Sequence, residues 1–335
     1  MKDDGAVGFF GLLDLASGAL GGRAIATNDD FFATVENLTK PGRGVFIEDK
    51  YTDRGKWMDG WESRRKRGPG HDWAVLALGV PGTIRALDID TNHFLGNHAP
   101  YASVEAVNAP GASDDEVVAM EFREILSQVP LRPGSQNLFT VTDGGSYSHV
   151  RLRIFPDGGV ARFRVYGLPT PTWEPATDPK ARPGEVDLVG ARNGGVALAC
   201  SDSFFSPMAN LTLPERPDNM GGGWESRRRR GPGHDWVLLR LGAPGTIHMA
   251  EVDTSFFKGN FPDRVSLEGI SAPEASITEL LASDEWKPIL PEQSLRADER
   301  HYFREEITAV PGVTHVRLHV FPDGGIARLR LYGTR

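Results

Sequence analysis

The sequence predicts an all-β protein made of two tandem homologous domains, each a jelly-roll β-sandwich. Three observations lead to this prediction. The chain has 335 residues, one long motif occurs in it twice, and turn-forming residues are abundant, with 39 glycines and 24 prolines. A chain of this length fits two domains of ordinary size. Short segments of alternating polarity between many turns favour an antiparallel sandwich or jelly roll in each half.

The composition is that of an ordinary globular protein and argues against several classes of function. Hydrophobic residues make up 39% of the chain and charged residues 24%, which is unlike a disordered protein. The formal net charge of −8 argues against a nucleic-acid or anionic-membrane partner. No apolar run approaches the ~20 residues of a membrane span, and the acidic start of the chain does not resemble a signal peptide. The single cysteine, Cys200, excludes an intrachain disulfide framework and fits a cytoplasmic location.

The strongest signal is a 14-residue segment that we call the arginine motif. It reads GWESRRKRGPGHDW over Gly60–Trp73 and GWESRRRRGPGHDW over Gly223–Trp236, so the copies differ only at Lys66 and Arg229. Each half also ends with a second shared segment, FPDGG, at residues 155–159 and 321–325, which we call the closing motif. The spacing between copies is far longer than the ~20–50 residues of a solenoid unit. The chain is therefore a duplicated domain.

The duplication predicts the domain boundaries. We expect an N-terminal tail over residues 1–13, repeat one over 14–168, a linker over 169–183 and repeat two over 184–335. The linker is rich in proline, which suits a stiff extended connection. Repeat one carries about ten extra residues around 44–59, and we expect this insertion to form a surface loop.

Alternating patterns predict the strands of each repeat. Residues 150–154 and 161–165 alternate apolar residues with arginines on either side of the closing motif, which predicts a hairpin with one buried face. Residues 73–78 and 83–90 predict two more strands joined through 79–82. Helix signals are few. Ser276 followed by Glu279 predicts a short capped helix, and another is expected over 117–126.

The arginine motif concentrates the residue types that a site for a small anion needs. Guanidinium groups can hold a carboxylate through two hydrogen bonds, and glutamate and histidine can exchange protons with a substrate. The glycines and proline before the histidine place the motif on a loop that enters a strand, where sites usually lie. The candidate catalytic residues are Glu62, His71, Glu225 and His234. The candidate substrate-binding residues are Arg64, Arg65, Arg67, Asn97, Arg227, Arg228, Arg230 and Asn260.

Plainer interpretations stand beside these. A basic run is commonly a solvated surface, and a single histidine in a turn is more often structural than catalytic. His71 and Asp72 would point to opposite faces if both were in a strand. Other common catalytic motifs are absent from the sequence, and Cys200 has Thr27 at its equivalent position. A divalent metal is an open alternative, and no cofactor is certain. The available ligands in repeat one are His71, Asp72, Asp90, His93 and His98. Repeat two has no histidine at the positions of His93 and His98.

Together these motifs resemble those of the allantoicase family. Each arginine motif is followed by Leu-Gly-x-Pro-Gly-x-Ile, an Asp-Thr and a Phe-x-Gly-Asn, and each half ends with the closing motif. The resemblance covers residues 14–335. It implies hydrolysis of allantoate to ureidoglycolate and urea in purine (allantoin) degradation. It further implies jelly-roll repeats like galactose-binding domains, and a homo-oligomer, often a hexamer.

The residues agree chemically with what the resemblance implies. Allantoate has a carboxylate on a carbon that bears two ureido groups. The arginines suit the carboxylate, and the amides of Asn97 and Asn260 can pair with a ureido group. The glutamates and histidines could protonate a departing nitrogen and activate water. The alternative is a non-catalytic tandem β-sandwich module that binds a small anionic or carbohydrate ligand. Whether one or both halves turn over stays open, since Glu36 of repeat one corresponds to Ala209 of repeat two.

Overall fold

The computed structural model describes residues 9 and 11–335. The chain forms two compact units that meet in sequence between Pro171 and Thr172, and each unit contains one repeat. Strands dominate both units, and the prediction of an all-β protein with two tandem sandwiches is confirmed. Most of the predicted N-terminal tail, residues 1–8 and 10, lies outside the described residues. No helix in the described part of the chain is long and apolar enough to cross a membrane.

Repeat one contains twelve strands, one short α-helix and two 3₁₀ turns. The strands are β1 (Leu13–Asp14), β2 (Arg23–Thr27), β3 (Tyr51–Thr52), β4 (Gly55–Lys56), β5 (Trp61–Glu62), β6 (Asp72–Asp90), β7 (Tyr101–Val107), β8 (Arg123–Pro130), β9 (Leu138–Thr140), β10 (Ser146–Phe155), β11 (Gly159–Val160) and β12 (Arg162–Pro169). The helix is α1 (Asp114–Ala119), and the 3₁₀ turns are Gly18–Leu20 and Val35–Thr39.

Repeat two follows the same plan without the small hairpin β3–β4. Its strands are β13 (Val186–Asp187), β14 (Val196–Cys200), β15 (Trp224–Glu225), β16 (Asp235–Asp253), β17 (Arg264–Ile270), β18 (Lys287–Ser294), β19 (Arg300–Phe303), β20 (Val313–Phe321), β21 (Gly325–Ile326) and β22 (Arg328–Thr334). The helix is α2 (Ile277–Ala282), and the 3₁₀ turns are Ala191–Asn193, Met208–Thr212 and Met220–Gly222.

One long strand links the two sheets of each sandwich. The sequence predicts two strands over 73–78 and 83–90, but β6 is a single strand of 19 residues. Its first part pairs with β2 and β10, and its last part pairs with β12 and β9. The change of sheet falls near Gly79, where a Cβ atom would lie 2.6 Å from the Leu20 carbonyl oxygen. Strand β16 takes the same course in repeat two.

The hairpin predicted around the closing motif is wrong. Strands β10 and β12 exist, but they do not pair with each other; both flank β6. The closing motif instead carries the chain from one sheet to the other, and β11 pairs with β5 on the way. An alternating pattern determines which face of a strand is buried, but it does not identify the partner strand. The same correction applies to β20 and β22 in repeat two.

One of the two helix predictions is confirmed. Helix α2 begins after Ser276, whose side chain accepts a hydrogen bond from the Glu279 backbone in a full capping box. The expected helix over 117–126 is wrong, because α1 ends at Ala119 and β8 begins at Arg123. The Ser113 capping box that starts α1 lies upstream of the segment the sequence singled out.

Each sandwich has its own apolar core. In repeat one it contains Leu15, Trp61, Leu76, Ile89, Leu152 and Phe163 among its fully buried side chains. In repeat two it contains Leu188, Trp224, Leu239, Val252, Leu318 and Leu329. The insertion of repeat one, which includes β3 and β4, is mostly exposed. The first tryptophan of each arginine motif, Trp61 or Trp224, thus anchors that motif in the core.

Asp88, near the end of β6, makes the stability of repeat one depend on pH. The side chain is buried; Oδ2 accepts a hydrogen bond from Gln136, and Oδ1 has no hydrogen-bond partner among residues 9 and 11–335. Burial raises the pKa of Asp88 to about 7. The folded state therefore binds a proton that the unfolded state releases, and stability falls as pH rises from ~4 to ~7.

We expect Asp88→Asn to stabilise repeat one at pH 8 by ~1–3 kcal/mol, because asparagine keeps the Gln136 contact and cannot ionise. Urea unfolding followed by circular dichroism should show this gain at pH 8 and little difference at pH 4. An equal change at both pH values would contradict it.

Candidate functional site

The arginine motif begins in one short strand, crosses an exposed loop and enters the long strand of the sandwich. In repeat one it starts in β5, and its arginines lie on the loop before β6. In repeat two it starts in β15 and enters β16 in the same way. The motif thus lies at one edge of the sandwich, where a buried strand supports an exposed loop.

The closing motif holds the arginine motif in place. Glu62 pairs with Gly159 across β5 and β11. The backbone N–H of Lys66 donates to Asp157 Oδ2 at 2.8 Å, and Arg229 donates to Asp323 at the same distance. A Cβ atom at position 159 would lie 2.0 Å from the ring of Phe94, so only glycine fits. The two repeated motifs of each half are therefore parts of one local structure.

Each motif glutamate accepts a hydrogen bond from the asparagine that the sequence places in the same site. Asn97 Nδ2 donates to Glu62 Oε1 at 2.7 Å, and Asn260 donates to Glu225 in repeat two. Burial raises the pKa of Glu62, against the opposing effect of the Asn97 hydrogen bond. A raised pKa keeps the proton on a glutamate to higher pH, as a general acid requires.

The first arginine of each motif is tied to an upstream aspartate. Arg64 Nε lies 2.7 Å from Asp29 Oδ2, and its backbone N–H donates to Asp29 Oδ1 at 3.2 Å. Arg227 repeats both contacts with Asp202, at 2.8 Å and 2.9 Å. The sequence pattern assigns neither aspartate to the site, although each occupies the same place in its repeat, just before a pair of phenylalanines. Their carboxylates orient the loop and occupy the two guanidinium groups.

The second and fourth basic residues of each motif, all of them arginines, are available to a ligand. Four exposed side chains, those of Arg65, Arg67, Arg228 and Arg230, make no hydrogen bond or ion pair with the described part of the chain. A guanidinium group can bind a carboxylate with two parallel hydrogen bonds. Within the motif, these four side chains fit the predicted substrate-binding role better than Arg64 and Arg227.

The third basic residue and the aspartate of each motif have a structural role. Lys66 Nζ lies 2.6 Å from Asp72 Oδ1, and Asp72 is fully buried. Arg229 pairs with buried Asp235 in the same way. Asp72 also accepts a hydrogen bond from Asn28. The aspartate therefore points into the protein and the adjacent histidine points away, as expected for neighbours in an extended chain.

The motif histidines lie against the strand that precedes the closing motif. In repeat one, Arg153 Nε donates to His71 Nε2 at 3.0 Å. In repeat two, His319 takes the place of Arg153, and its Nδ1 lies 2.8 Å from His234 Nε2. Burial lowers the pKa of both His71 and His234. The sequence pattern predicts only that residues 151 and 153 lie on the solvated face of a strand, and it does not predict the contact between residue 153 and the motif histidine.

The glutamate and the histidine of one motif stand on either side of the closing motif. His71 packs on the ring of Phe155, with 5.0 Å between centroids, and Glu62 pairs with Gly159. Four residues of chain span at most ~14 Å. No hydrogen bond joins Glu62 to His71 in the described residues. The two residues therefore contact opposite ends of the closing motif.

The candidate metal ligands of repeat one do not form one cluster. Asp72 pairs with Lys66, and Asp90 pairs with Arg43 through two contacts of 3.0 Å. His93 Nε2 lies 3.1 Å from the Gly44 carbonyl oxygen. Over residues 9 and 11–335, no three histidine, cysteine, aspartate or glutamate side chains are placed to hold a metal ion.

Comparison with known proteins gives a consistent result. The family model for the allantoicase repeat matches residues 13–170 and 186–335. A probable allantoicase of Pseudomonas fluorescens is 46% identical over 329 residues, covering 98% of both chains. A probable allantoicase of Burkholderia mallei is 44% identical, covering 96% of this chain and 94% of its own. The crystal structure of allantoicase from Saccharomyces cerevisiae superposes with a TM-score of 0.81 at 33% identity, covering 99% of this chain and 96% of that one.

Proposed function

Because the chain belongs to the allantoicase family, we propose that it is a hydrolase that converts allantoate and water into ureidoglycolate and urea. Beyond family membership, the proposal is supported by the side chains that the arginine motif presents. Each copy presents two exposed arginines that have no hydrogen-bond or ion-pair partner among the described residues, close in sequence to a glutamate that is hydrogen-bonded to an asparagine. An anionic substrate with amide groups matches this set of donors and acceptors.

We assign the roles from the chemistry of the substrate. Arg65 and Arg67, or Arg228 and Arg230, would hold the carboxylate. The Glu62–Asn97 or Glu225–Asn260 pair would bind the ureido group that departs, with the amide orienting it and the carboxyl group exchanging its proton. His71 or His234 would interact with the water. In the reaction, water forms a C–O bond to the central carbon as one C–N bond breaks, and the departing nitrogen gains a proton to leave as urea.

The proposal is tested by incubating the purified full-length protein with allantoate and measuring urea. We expect one urea per allantoate consumed, together with ureidoglycolate. Parallel reactions with a chelator and with added divalent metal test the open metal alternative. If no urea forms under any of these conditions while allantoate still shifts the melting temperature, the protein is a binding module and the enzyme proposal is wrong.

Replacing the available arginines should weaken substrate binding. We expect Arg228→Met with Arg230→Met, combined with the same changes at Arg65 and Arg67, to raise KM for allantoate at least ~10-fold, because a single charge-assisted hydrogen bond is worth ~1.5–3 kcal/mol. Steady-state kinetics measure this effect. Arg192→Met with Arg296→Met controls for the loss of charge on exposed residues. An unchanged KM in the fourfold variant would remove these arginines from the site.

We also propose that the chain forms a homo-oligomer, a hexamer being the form that the resemblance implies, and that it acts in the cytoplasm. Large apolar side chains on the surface of repeat one support self-association; those of Val45, Phe46, Ile47, Tyr51 and Leu95 are 46–71% exposed. The single free cysteine fits a reducing compartment. Light scattering of the purified protein should give a multiple of the 36.6 kDa chain mass, and a monomer would contradict the first proposal. Cell fractionation tests the second.

A further inference from the structure

In repeat one, the neighbours of His71 leave it with only a hydrogen-bond donor to offer a ligand. An arginine N–H can only donate, so His71 Nε2 must accept the bond from Arg153 Nε. Glu105 holds Arg153 in place, with Oε1 2.8 Å from Arg153 Nη1 and Oε2 2.6 Å from Arg151 Nε. A neutral His71 ring therefore carries its proton on Nδ1.

In repeat two, the hydrogen bond at the motif histidine runs in the opposite direction, so that His234 Nε2 is a donor where His71 Nε2 is an acceptor. Glu268 accepts hydrogen bonds from Arg317 at 3.0 Å and 3.2 Å, so its carboxylate is an acceptor. His319 Nε2, 3.0 Å from Glu268 Oε2, must then carry the proton. A neutral His319 consequently accepts at Nδ1, and His234 Nε2 donates to it at 2.8 Å. His234 Nδ1 therefore carries a lone pair and no proton.

We propose that repeat two is the hydrolytic repeat, with His234 Nδ1 as the proton acceptor and with His319 and Glu268 as positioning residues. His71 of repeat one then offers only a hydrogen-bond donor to a bound ligand. The inference rests on the proposed function for its chemistry, but the placement of the protons does not depend on it. Partly exposed Glu268 orients His319 as the carboxylate of a catalytic triad orients its imidazole, and His319 in turn orients His234.

The proposed step requires only side chains of repeat two and water. His234 Nδ1 takes one proton from water as the water oxygen bonds to the central carbon and the C–N bond breaks. The departing ureido nitrogen gains its proton from the Glu225 carboxyl group and leaves as urea. The imidazolium proton then passes through water to the Glu225 carboxylate, so both groups return to their starting states. While the ring is charged, His319 and the Glu268 carboxylate stabilise it. His71 cannot do the same, because its Nε2 already faces a guanidinium group and its Nδ1 is already protonated.

The first test reads the protons directly and needs no activity. Long-range ¹H–¹⁵N correlation spectra of the full chain, labelled at histidine and recorded at pH 8 without substrate, distinguish the two neutral tautomers. We expect a protonated Nε2 and bare Nδ1 for His234, and the reverse for His71, with His71→Gln and His234→Gln variants assigning the signals. A proton on His234 Nδ1, or the same tautomer for both rings, overturns the inference whether or not the protein makes urea.

The second test reverses the direction of the hydrogen bond at His234 by replacing its partner, His319. We expect His319→Arg, which copies repeat one, to lower kcat for urea release by at least 100-fold, the lower range for loss of a general base. Arginine already stands beside the equivalent glutamate in repeat one, so the variant should fold. His319→Gln offers His234 an amide oxygen and Glu268 an amide N–H, and it should keep a kcat at least tenfold above that of His319→Arg. The inference is wrong if His319→Arg retains kcat within threefold, or if both variants lose equally.

Discussion

Changing Glu62 and Glu225 to glutamine in the same chain should lower kcat for urea release by about 10²- to 10⁴-fold, the usual loss for a general acid or base. Glutamine has nearly the same shape and still accepts the hydrogen bond from Asn97 or Asn260, so the fold and KM should change little. What it loses is the exchangeable proton. Burial raises the pKa of Glu62, which keeps more of the acid form available as the pH approaches neutrality.

The single variants show which repeat contributes the turnover. If repeat two alone is hydrolytic, Glu225→Gln should account for nearly the whole loss and Glu62→Gln for little of it. Glu174→Gln, at an exposed position far from both motifs in the sequence, controls for the change in net charge. Full turnover in the double variant would show that these glutamates are not the proton-exchanging groups.

Sequence reasoning located the motif but not the contacts that set its chemistry. The duplication singled out Glu62, the arginines and His71, and the Phe-x-Gly-Asn segment singled out Asn97. It could not show that Asp29 occupies Arg64 while Arg65 stays available, because that choice depends on a partner 35 residues away. The different partners of the two histidines, Arg153 and His319, are visible only when strand pairing is known.

In the fold, too, features that depend on nearby residues were predictable and those that depend on distant residues were not. The capping box at Ser276 predicted α2 because all of its interactions are within a few residues. The alternation around the closing motif predicted β10 and β12 as strands, yet both pair with β6, more than 60 residues upstream. A local pattern specifies burial, and the partner is selected by packing of the whole sandwich. The position of the arginine motif at one edge of the sandwich follows from that packing.

Trp61→Ala should lower the free energy of unfolding of repeat one by about 3–5 kcal/mol, as expected for removing a large side chain from a core. Trp61 is fully buried in the core of its sandwich, and its indole N–H donates to the Asp29 carbonyl oxygen at 2.8 Å. Urea unfolding followed by circular dichroism measures the loss. Trp224→Ala is the matched change in repeat two, where the indole donates to Asp202, and it should have a similar effect.

Trp61→Phe separates packing from the hydrogen bond, because phenylalanine keeps most of the ring volume but leaves the Asp29 carbonyl oxygen without its donor; we expect a loss of ~1–3 kcal/mol. Trp57→Ala is the control, since Trp57 lies half-buried in the insertion outside the core and should change stability by less than ~1 kcal/mol. Asp202 also holds Arg227, so the matched change Trp224→Phe should disturb the loop that carries the available arginines of repeat two and raise KM while the fold persists. If Trp61→Ala costs no more than Trp57→Ala, the arginine motif is not anchored through this tryptophan, and the rigidity that its proposed function requires must come from the closing motif alone.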